Sequence, residues 1–194
     1  GIWVHPYADT PLEVGVDFRK IGGMAESVGN GKGKGNGKGK GKVDVDDAFV
    51  SVLEFDNGAI GTIEATRFAG GRKNYNCFEI NGEKGSIKFD FERMNELEWW
   101  DHTLEPKLRG WSRIMCTDST HPYASHYWPA AHPIGYEHGF VSQAADICAM
   151  VAGGAPVVAM PDFEDAYKTQ CVLEAAIRSA RERRPVPIRE LDKF

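Results

Sequence analysis

The sequence predicts an α+β fold: an open, mainly antiparallel β-sheet with helices packed on one face, the other face being left for oligomerisation. Two observations predict it. Apolar residues recur at every second position from Leu12 to about Asp118, and at every third or fourth position from Tyr136 onwards. These are the periods of half-buried strands and amphipathic helices. Strands that precede the helices, instead of alternating with them, are typical of α+β folds.

The strand half is expected to be a meander. Residues 12–21 alternate apolar and polar side chains, while Asp56-Asn57-Gly58 and Asn81-Gly82 mark hairpin turns. Further strands are predicted at 46–55, 59–68, 75–80, 85–91, 97–101 and 111–118. Short connections imply antiparallel neighbours, because parallel pairs need long crossovers. The Phe, Ile and Trp content of these strands predicts that the open face meets a second copy of the chain.

Two helices are predicted after the strands. The first begins near Tyr136 and stops at Gly153-Gly154, a typical C-terminal cap. Its periodic apolar positions are Phe140, Ala144, Ile147, Cys148 and Val151. The second helix is capped by Asp162 and ended by Pro185. Its expected inward stripe is Ala166, Gln170, Leu173, Ile177 and Ala180. Residues 186–188 are a candidate edge strand.

An alternating Gly/Lys run interrupts the strand half. Its glycines, from Gly29 to Gly41, all fall at odd positions. Both G-x-G-x-x-G and the P-loop need glycines an odd number of residues apart, so neither motif fits. Such a run is typical of a solvated spacer, with a weak polyanion-binding arm as the alternative. The chain therefore divides into an N-terminal segment with the first sheet strand (1–28), a flexible Gly/Lys linker (29–42) and the remainder of one domain (43–194).

Charge and composition exclude several classes of protein. The net charge is −5, and setting aside the five lysines of the Gly/Lys run leaves −10 for the rest. An acidic body argues against nucleic acid as a partner. The four cysteines form no C-x-x-C pair and fit reduced thiols among apolar neighbours. Neither a signal peptide nor a long apolar run is found, so we expect a cytoplasmic protein without a membrane partner.

The segment that joins the two halves is the richest in chemistry. Residues 118–139 hold four of the six histidines together with tyrosines, a tryptophan and prolines. Aromatic faces pack against the C–H side of sugars, and imidazoles bind hydroxyl groups, so the segment predicts a site for a polyhydroxylated small molecule. The predicted substrate-binding residues are Tyr123, Trp128, His132, Tyr136 and His138. One alternative is a loop that merely caps the core. Metal is another, although histidine spacings of 5, 6 and 6 match no compact zinc pattern, and no metal ligand is predicted.

A second polar cluster lies between two predicted strands. Arg67, Arg72, Lys73 and Asn74 surround Gly70-Gly71. A solvated hairpin loop is one interpretation of this cluster. The other is a loop that reaches the substrate, or the phosphates of a cofactor in a neighbouring domain. No G-x-S-x-G nucleophile motif is present, and no catalytic residue is assigned.

Taken together, these residues resemble a known family. Three segments carry the resemblance: residues 43–100 with D-NGA-GT-EATR, E-NG-KGS and FERMNELE, then HPIGYEHGF, then PDFEDAYKTQCVLEAAIRSARERRPVPI. They are similar to the C-terminal domain of the Gfo/Idh/MocA oxidoreductases, over about Val43 to Ile188. The resemblance implies a two-domain enzyme that uses NAD or NADP and acts on a sugar, a cyclitol or a related polyol. In that family a Rossmann domain binds the nucleotide, while the second domain shapes the substrate pocket and forms the oligomer.

The sequence departs from the family pattern on the cofactor side. It contains no Rossmann fingerprint and no Lys-Pro dipeptide, and His5 and Asp9 stand in the reverse order of the family's Asp-x-x-x-His pair. The resemblance therefore implies a substrate-binding and oligomerisation domain that binds no cofactor by itself and is inactive alone. Hydride transfer would need a separate Rossmann domain. The alternative is a stand-alone carbohydrate-binding or scaffolding module without activity.

Overall fold

The computed structural model describes residues 2–5, 13–17 and 48–191. Within these residues nine strands and two longer helices are found. The strands are β1 (Ile2–His5), β2 (Glu13–Asp17), β3 (Ala48–Glu54), β4 (Ile60–Thr66), β5 (Cys77–Asn81), β6 (Gly85–Asp90), β7 (Glu96–Asp101), β8 (Ser112–Met115) and β9 (Val186–Pro187). The helices are α1 (Tyr136–Val151) and α2 (Phe163–Glu182). The predicted Gly/Lys linker at 29–42 and Asp9 lie outside the described residues.

All nine strands belong to one open sheet, in the order β8-β7-β6-β5-β1-β4-β3-β2-β9. Every neighbouring pair is antiparallel except β1 and β5. The α+β class and the mainly antiparallel sheet are therefore confirmed. The simple meander is wrong at one point, because the unpredicted strand β1 lies between β4 and β5. Four residues without a turn signal have too short a pattern to be recognised in the sequence.

Alternation along the strands separates two faces of the sheet. In β3, Ser51 and Leu53 are buried, whereas Val50 and Val52 are each 48% exposed. Leu53 packs against Ala176 of α2, and the partly buried residues around this contact are Phe55, Ile63, Ala180 and Ile188. The core thus lies between α2 and one face of the sheet, whereas Val50 and Val52 of the opposite face are half exposed. We call this second surface the open face.

The ends of both helices follow the predicted caps. Asp162 accepts a hydrogen bond from the N–H of Asp165 at 3.0 Å, and Asp165 accepts one from the N–H of Asp162 at 3.2 Å. Such reciprocal bonds satisfy two N–H groups that the first turn leaves without partners. At the end of α1, Gly153 takes a left-handed conformation with φ of 82°, which glycine adopts at little cost.

The buried side of α2 differs from the predicted stripe. Ala166, Gln170, Leu173 and Ile177 are exposed, and only Ala180 of the predicted set is partly buried. The residues that α2 buries are Cys171, Ala175, Ala176 and Ser179. All four are small, which lets the helix approach β2 and β9 closely. The prediction was wrong because its stripe ran through Leu173 and Ile177, whereas close packing selected the smaller side chains on an adjacent side of the helix.

Helix α1 buries a polar residue and exposes its apolar ones. The positions on which its period was recognised, from Phe140 to Val151, are mostly exposed, and Cys148 is exposed rather than packed among apolar neighbours. The one fully buried side chain in α1 is Asp146. The sheet side of α1 is met by aromatic rings, with Tyr136 edge-on to Phe91 at 5.8 Å between centroids. Helix α1 is therefore held mainly by its first turn and by Asp146.

Replacing Ala175 by Leu should destabilise the domain, because Ala175 is 0% exposed where α2 meets the sheet. Forcing three further carbon atoms into a close-packed contact should cost about 1–3 kcal/mol of unfolding free energy. Ala166→Leu, on the exposed side of α2, is the matched control and should stay within about 0.5 kcal/mol of the unmodified protein. Urea unfolding measures both variants. A larger loss for Ala166→Leu would support the stripe expected from the sequence instead.

Candidate functional site

A cavity of about 380 Å³ lies beside the first turns of α1. Its walls come from the connection before α1, from α1 itself and from the segment between the two helices. The lining residues are Met94, Pro122, Tyr123, Tyr127, Ile134, His138, Gly139, Ser142, Gln143, Asp146, Val158, Ala159, Met160 and Pro161. Most of these side chains are aliphatic or aromatic, and a few polar groups stand among them. Such a combination is typical of small-molecule sites.

Asp146 holds two of these walls together. Its side chain is 3% exposed. One carboxylate oxygen accepts a 2.5 Å hydrogen bond from the Tyr123 hydroxyl, and the other accepts a 3.0 Å bond from the N–H of Val157. The Tyr123 hydroxyl, and after it the Val157 N–H, hold the pKa of Asp146 below its ordinary value, and the same bond to Asp146 raises the pKa of Tyr123. Asp146 thus joins α1 to the preceding loop and to the segment after it.

The backbone of the loop is unusual at Tyr123, which takes a left-handed conformation with φ of 65°. Few residues other than glycine adopt this region, so the surroundings must hold Tyr123 there. The hydrogen bond to Asp146 is one such restraint. The short helical turn Ala124–His126 follows directly, and Ala124 within it is buried. Together these contacts direct the Tyr123 side chain towards α1.

His138 lies at the start of α1 with one ring nitrogen already engaged. Its Nδ1 atom accepts a 3.0 Å hydrogen bond from the N–H of Gly135, the residue before the helix. Glu137 Oε1 lies 3.6 Å from the same nitrogen, but the Glu137 side chain is largely exposed. The shorter bond from Gly135 therefore determines which ring nitrogen of His138 carries the proton. In the neutral imidazole the proton then resides on Nε2, which becomes a hydrogen-bond donor.

Tyr127 fixes the other side of the imidazole. The Tyr127 and His138 rings pack edge to face, with 4.5 Å between centroids. The Tyr127 hydroxyl donates to the backbone oxygen of His138 at 2.9 Å and shares a 2.7 Å hydrogen bond with Ser142 Oγ. The phenol ring of Tyr127 therefore forms a rigid wall of the cavity and limits rotation of the His138 ring.

Asn95 attaches this part of the chain to the sheet. Its side-chain NH₂ group donates to the backbone oxygen of Ile134 at 3.0 Å, and its side-chain oxygen accepts from the N–H of Ile134 at 2.8 Å. The side-chain amide of Asn95 thus satisfies both the backbone N–H and the backbone carbonyl of Ile134. Ile134 lies two residues before α1, so this contact determines where the helix begins relative to β7.

The structure separates the five predicted residues of the joining segment. Tyr123 and His138 line the cavity. Tyr136 lies apart from them, between the rings of Phe91 and Phe140. His132 is exposed in a local turn, with Nδ1 2.9 Å from the backbone oxygen of Pro129. Trp128 is 59% exposed and is not part of the cavity wall.

The predicted basic cluster is gathered around Glu92. Arg72 forms a 3.1 Å ion pair with this carboxylate, and the backbone N–H groups of Lys73 and Asn74 donate to it at 2.7 and 3.3 Å. The Lys73 N–H is the main cause of the lowered pKa of Glu92. Arg67 is exposed in the same connection. These contacts account for Arg72, Lys73 and Asn74 as a folded β4–β5 connection, and they form no part of the cavity.

Sequence reasoning did not select three residues that organise the site, which are Asn95, Tyr127 and Asp146, nor Glu92, which organises the β4–β5 connection. A signal was present for Asp146, since a lone carboxylate in an otherwise apolar run of α1 needs a partner when it is buried. Glu92 and Asn95 lie within FERMNELE, one of the segments that carried the family resemblance. Their hydrogen-bond partners are 18 to 39 residues away in the sequence, so their roles were not visible there.

Two further observations concern metal and membrane. Among the described residues, no group of three or more His, Cys, Asp or Glu side chains converges as metal ligands would. In the same part of the chain, neither helix has the length and apolar character required to cross a bilayer.

Comparison with known proteins agrees with the fold and with the class of domain. The family model described as "Oxidoreductase family, C-terminal alpha/beta domain" matches residues 20–188, which is most of this chain. The chain belongs to the Gfo/Idh/MocA oxidoreductase family, within which it corresponds to the C-terminal domain.

Individual relatives support the same assignment. Levoglucosan dehydrogenase of Pseudarthrobacter phenanthrenivorans is 40% identical over 139 residues, which is 71% of this chain and 35% of that protein. An oxidoreductase domain protein from Kribbella flavida is 46% identical with a TM-score of 0.71, over 76% of this chain and 39% of that one. A levoglucosan dehydrogenase in complex with NADH and levoglucosan is 39% identical with a TM-score of 0.69, over 76% and 40% respectively. The chain therefore spans between 35% and 40% of the length of these relatives.

Replacing Asp146 by Asn should lower stability at about pH 7 and have less effect in acid. The pKa of Asp146 is lowered in the folded protein, so its charged form stabilises the fold above the ordinary value of 3.8. That contribution is lost as the pH falls through the lowered pKa. Urea midpoints at about pH 7 and about pH 3 should show a gap between the two proteins that narrows in acid. Tyr123→Phe keeps the carboxylate but removes the main cause of its pKa shift. The urea midpoints of this variant and the unmodified protein should therefore differ by an amount that depends less on pH than the difference for Asp146→Asn. A gap of equal size at both pH values would contradict this role of Asp146.

Proposed function

We propose that this chain is the substrate-binding and oligomerisation domain of an NAD(P)-dependent oxidoreductase that acts on a sugar, cyclitol or related polyol. The observation that carries the proposal is the cavity beside α1, where aromatic and aliphatic walls surround the imidazole of His138. Levoglucosan dehydrogenase, a relative in this family, has been solved in complex with NADH and levoglucosan and in complex with NADH and L-sorbose. Both are polyhydroxylated compounds, and they match the chemistry of the cavity.

The walls suit a molecule with one apolar side and a few hydroxyl groups. The rings of Tyr123 and Tyr127, with Met94 and Met160, offer surfaces against which the C–H groups of a sugar ring can pack. His138 offers one hydrogen-bond donor, and the Gln143 amide offers both a donor and an acceptor. A site that bonds hydroxyl groups discriminates strongly against analogues that lack them, since its own buried polar groups would then lose their partners.

Nucleotide binding would belong to a domain other than this one. The solved relatives that contain NADH are more than twice as long as the part matched here. We propose that a Rossmann domain supplies the nicotinamide, and that hydride transfer occurs only when both domains are present. This chain by itself is then expected to bind the polyol and not NADH.

His138→Asn tests the assignment of the cavity. The Oδ1 atom of Asn can occupy the position of Nδ1 and still accept from Gly135, but no donor replaces Nε2–H. Polyol affinity should therefore fall roughly two- to tenfold, the range expected for one hydrogen bond, with little change in melting temperature. Titration calorimetry with levoglucosan and with inositol measures the affinity.

Two matched variants accompany this test. His132→Asn changes a histidine outside the cavity and should leave affinity unchanged. His138→Ala removes the Nδ1 acceptor as well and should also lower the melting temperature. If His132→Asn weakens binding and His138→Asn does not, the substrate site lies in the exposed turn instead of the cavity. If neither polyol binds the unmodified chain at millimolar concentration, the proposed function is wrong.

The open face is proposed as the oligomer interface. Val50, Val52 and Ile60 lie on its β3–β4 part, and each is 48% exposed. Their burial against a second copy would remove apolar surface from water on both chains. Glu54 and Glu64 lie on the same part of the face. On the β6–β8 part, Lys88 and Arg113 are already paired with Glu98 and Glu96 of the same chain, so the proposed interface rests on the apolar part.

Val52→Glu should therefore convert an oligomer into a monomer, because it places a charge in the apolar part of the interface. Light scattering after size-exclusion chromatography measures the molar mass, and circular dichroism checks that the fold is retained. Val141→Glu, which changes a similarly exposed valine on α1, is the control and should leave the mass unchanged. A mass that changes with Val141→Glu and not with Val52→Glu would place the interface on the helices.

A further inference from the structure

We propose that Asn95 is a positioning residue for the cavity: through Ile134 and Gly135 it fixes His138 in the tautomer that offers Nε2–H to the ligand. The ligand atom that meets His138 is then a hydrogen-bond acceptor, such as a hydroxyl, ether or carbonyl oxygen. The part of this inference that concerns the ligand rests on the proposed function of the cavity. The part that concerns the tautomer rests only on the chain itself.

The first step is the double hydrogen bond between Asn95 and Ile134. The amide orientation of Asn95 is determined by its partners, since NH₂ meets a carbonyl at 3.0 Å and the side-chain oxygen meets an N–H at 2.8 Å. The reversed amide would place donor against donor and acceptor against acceptor. Asn95 is itself held by the sheet, because its backbone oxygen accepts from the N–H of Cys116 at 2.9 Å. Ile134 is therefore attached to the beginning of β7.

The peptide group between Ile134 and Gly135 connects Asn95 to the imidazole of His138. Gly135 follows Ile134, and its N–H belongs to the peptide group whose carbonyl Asn95 binds. That N–H points at Nδ1 of His138 at 3.0 Å, and the N–H of His138 in turn lies 3.2 Å from the Gly135 oxygen. One planar peptide thus carries both contacts, the carbonyl towards Asn95 and the N–H towards His138. Rotation of this peptide would break both hydrogen bonds.

The bond from Gly135 determines which nitrogen of the His138 ring accepts and which donates. A backbone N–H can only donate, so Nδ1 must accept, and the neutral ring carries its proton on Nε2. Within the described part of the chain no hydrogen bond to Nε2 is found. His138 contributes to the cavity wall, and Nδ1 is occupied by Gly135, so Nε2–H is the group left for a bound molecule. A donor-only group such as an ammonium ion would be rejected at this position.

The tautomer can be measured without any ligand. In mildly alkaline buffer, two-bond ¹H–¹⁵N spectra of the histidine-labelled chain distinguish a ring with its proton on Nε2 from one with its proton on Nδ1. The His138 signals are assigned as those that vanish in His138→Asn. We expect the unmodified chain to show the Nε2–H form alone and Asn95→Ala to show a mixture of both forms. Asn95→Asp retains the acceptor for Ile134 N–H and should give an intermediate result.

Asn57→Ala is the matched control. Asn57 is also an asparagine whose side-chain oxygen accepts from a backbone N–H, that of Ala59 at 3.0 Å, but it lies in the β3–β4 turn. This variant should lower stability without changing the His138 spectrum. A His138 spectrum that is the same in Asn95→Ala as in the unmodified chain would overturn the positioning role, as would an equal change in Asn57→Ala.

Polyol affinity separates this inference from the proposed function. Asn95→Ala should weaken levoglucosan binding roughly two- to tenfold, as expected for loss of one well-oriented hydrogen bond. If the tautomer changes while the polyol binds equally well, the orientation of His138 does not serve the ligand and the inference is overturned. If the unmodified chain binds no polyol, the proposed function fails, while the spectra still decide whether Asn95 controls the tautomer.

Discussion

The buried carboxylate of Asp146 is the constraint on which the candidate site depends. A carboxylate 3% exposed is costly unless hydrogen bonds replace the water it loses. Asp146 obtains them from the Tyr123 hydroxyl and from the N–H of Val157, which come from two different segments. Both segments must therefore lie against α1 for the charge to be buried at all. The cavity is the space that this arrangement leaves, since Tyr123 and Val158 are among its walls.

A second constraint connects this region to the sheet, and it uses side chains from one short segment. Glu92 gathers the β4–β5 connection by accepting from Lys73 and Asn74, while Asn95 holds Ile134 before α1. In both cases a side chain satisfies backbone groups of a loop that has no strand partner for them. The bonds at Ile134 are partly buried, where backbone groups require such partners, whereas the bonds from Lys73 and Asn74 to Glu92 lie at the surface. The conformation of the loops thus follows from the end of β6 and the beginning of β7.

The two helices are held in place by different kinds of interaction. Helix α2 places small side chains against the sheet, and its contact with Leu53 provides the core. Helix α1 buries a charge instead of an apolar stripe, and its Phe140 and Ile147 are exposed. Apolar packing therefore secures α2, whereas directional hydrogen bonds position α1. Directional bonds are suited to a site, because they specify angles as well as distances.

The sequence by itself determined the α+β class, most strand and helix bounds, the cap at Asp162 and the resemblance to the oxidoreductase family. These features depend on periodicity and on neighbours within a few residues, which a linear pattern contains. Only the tertiary structure decided that β1 enters the middle of the sheet, that α2 buries Ala175 rather than Leu173, and that His138 lies in a cavity while Tyr136 does not. It also disclosed Asp146 and Asn95, whose partners are up to 39 residues away. The physical reason is that hydrogen bonds and close packing act between groups that are near in space, and folding alone makes them near.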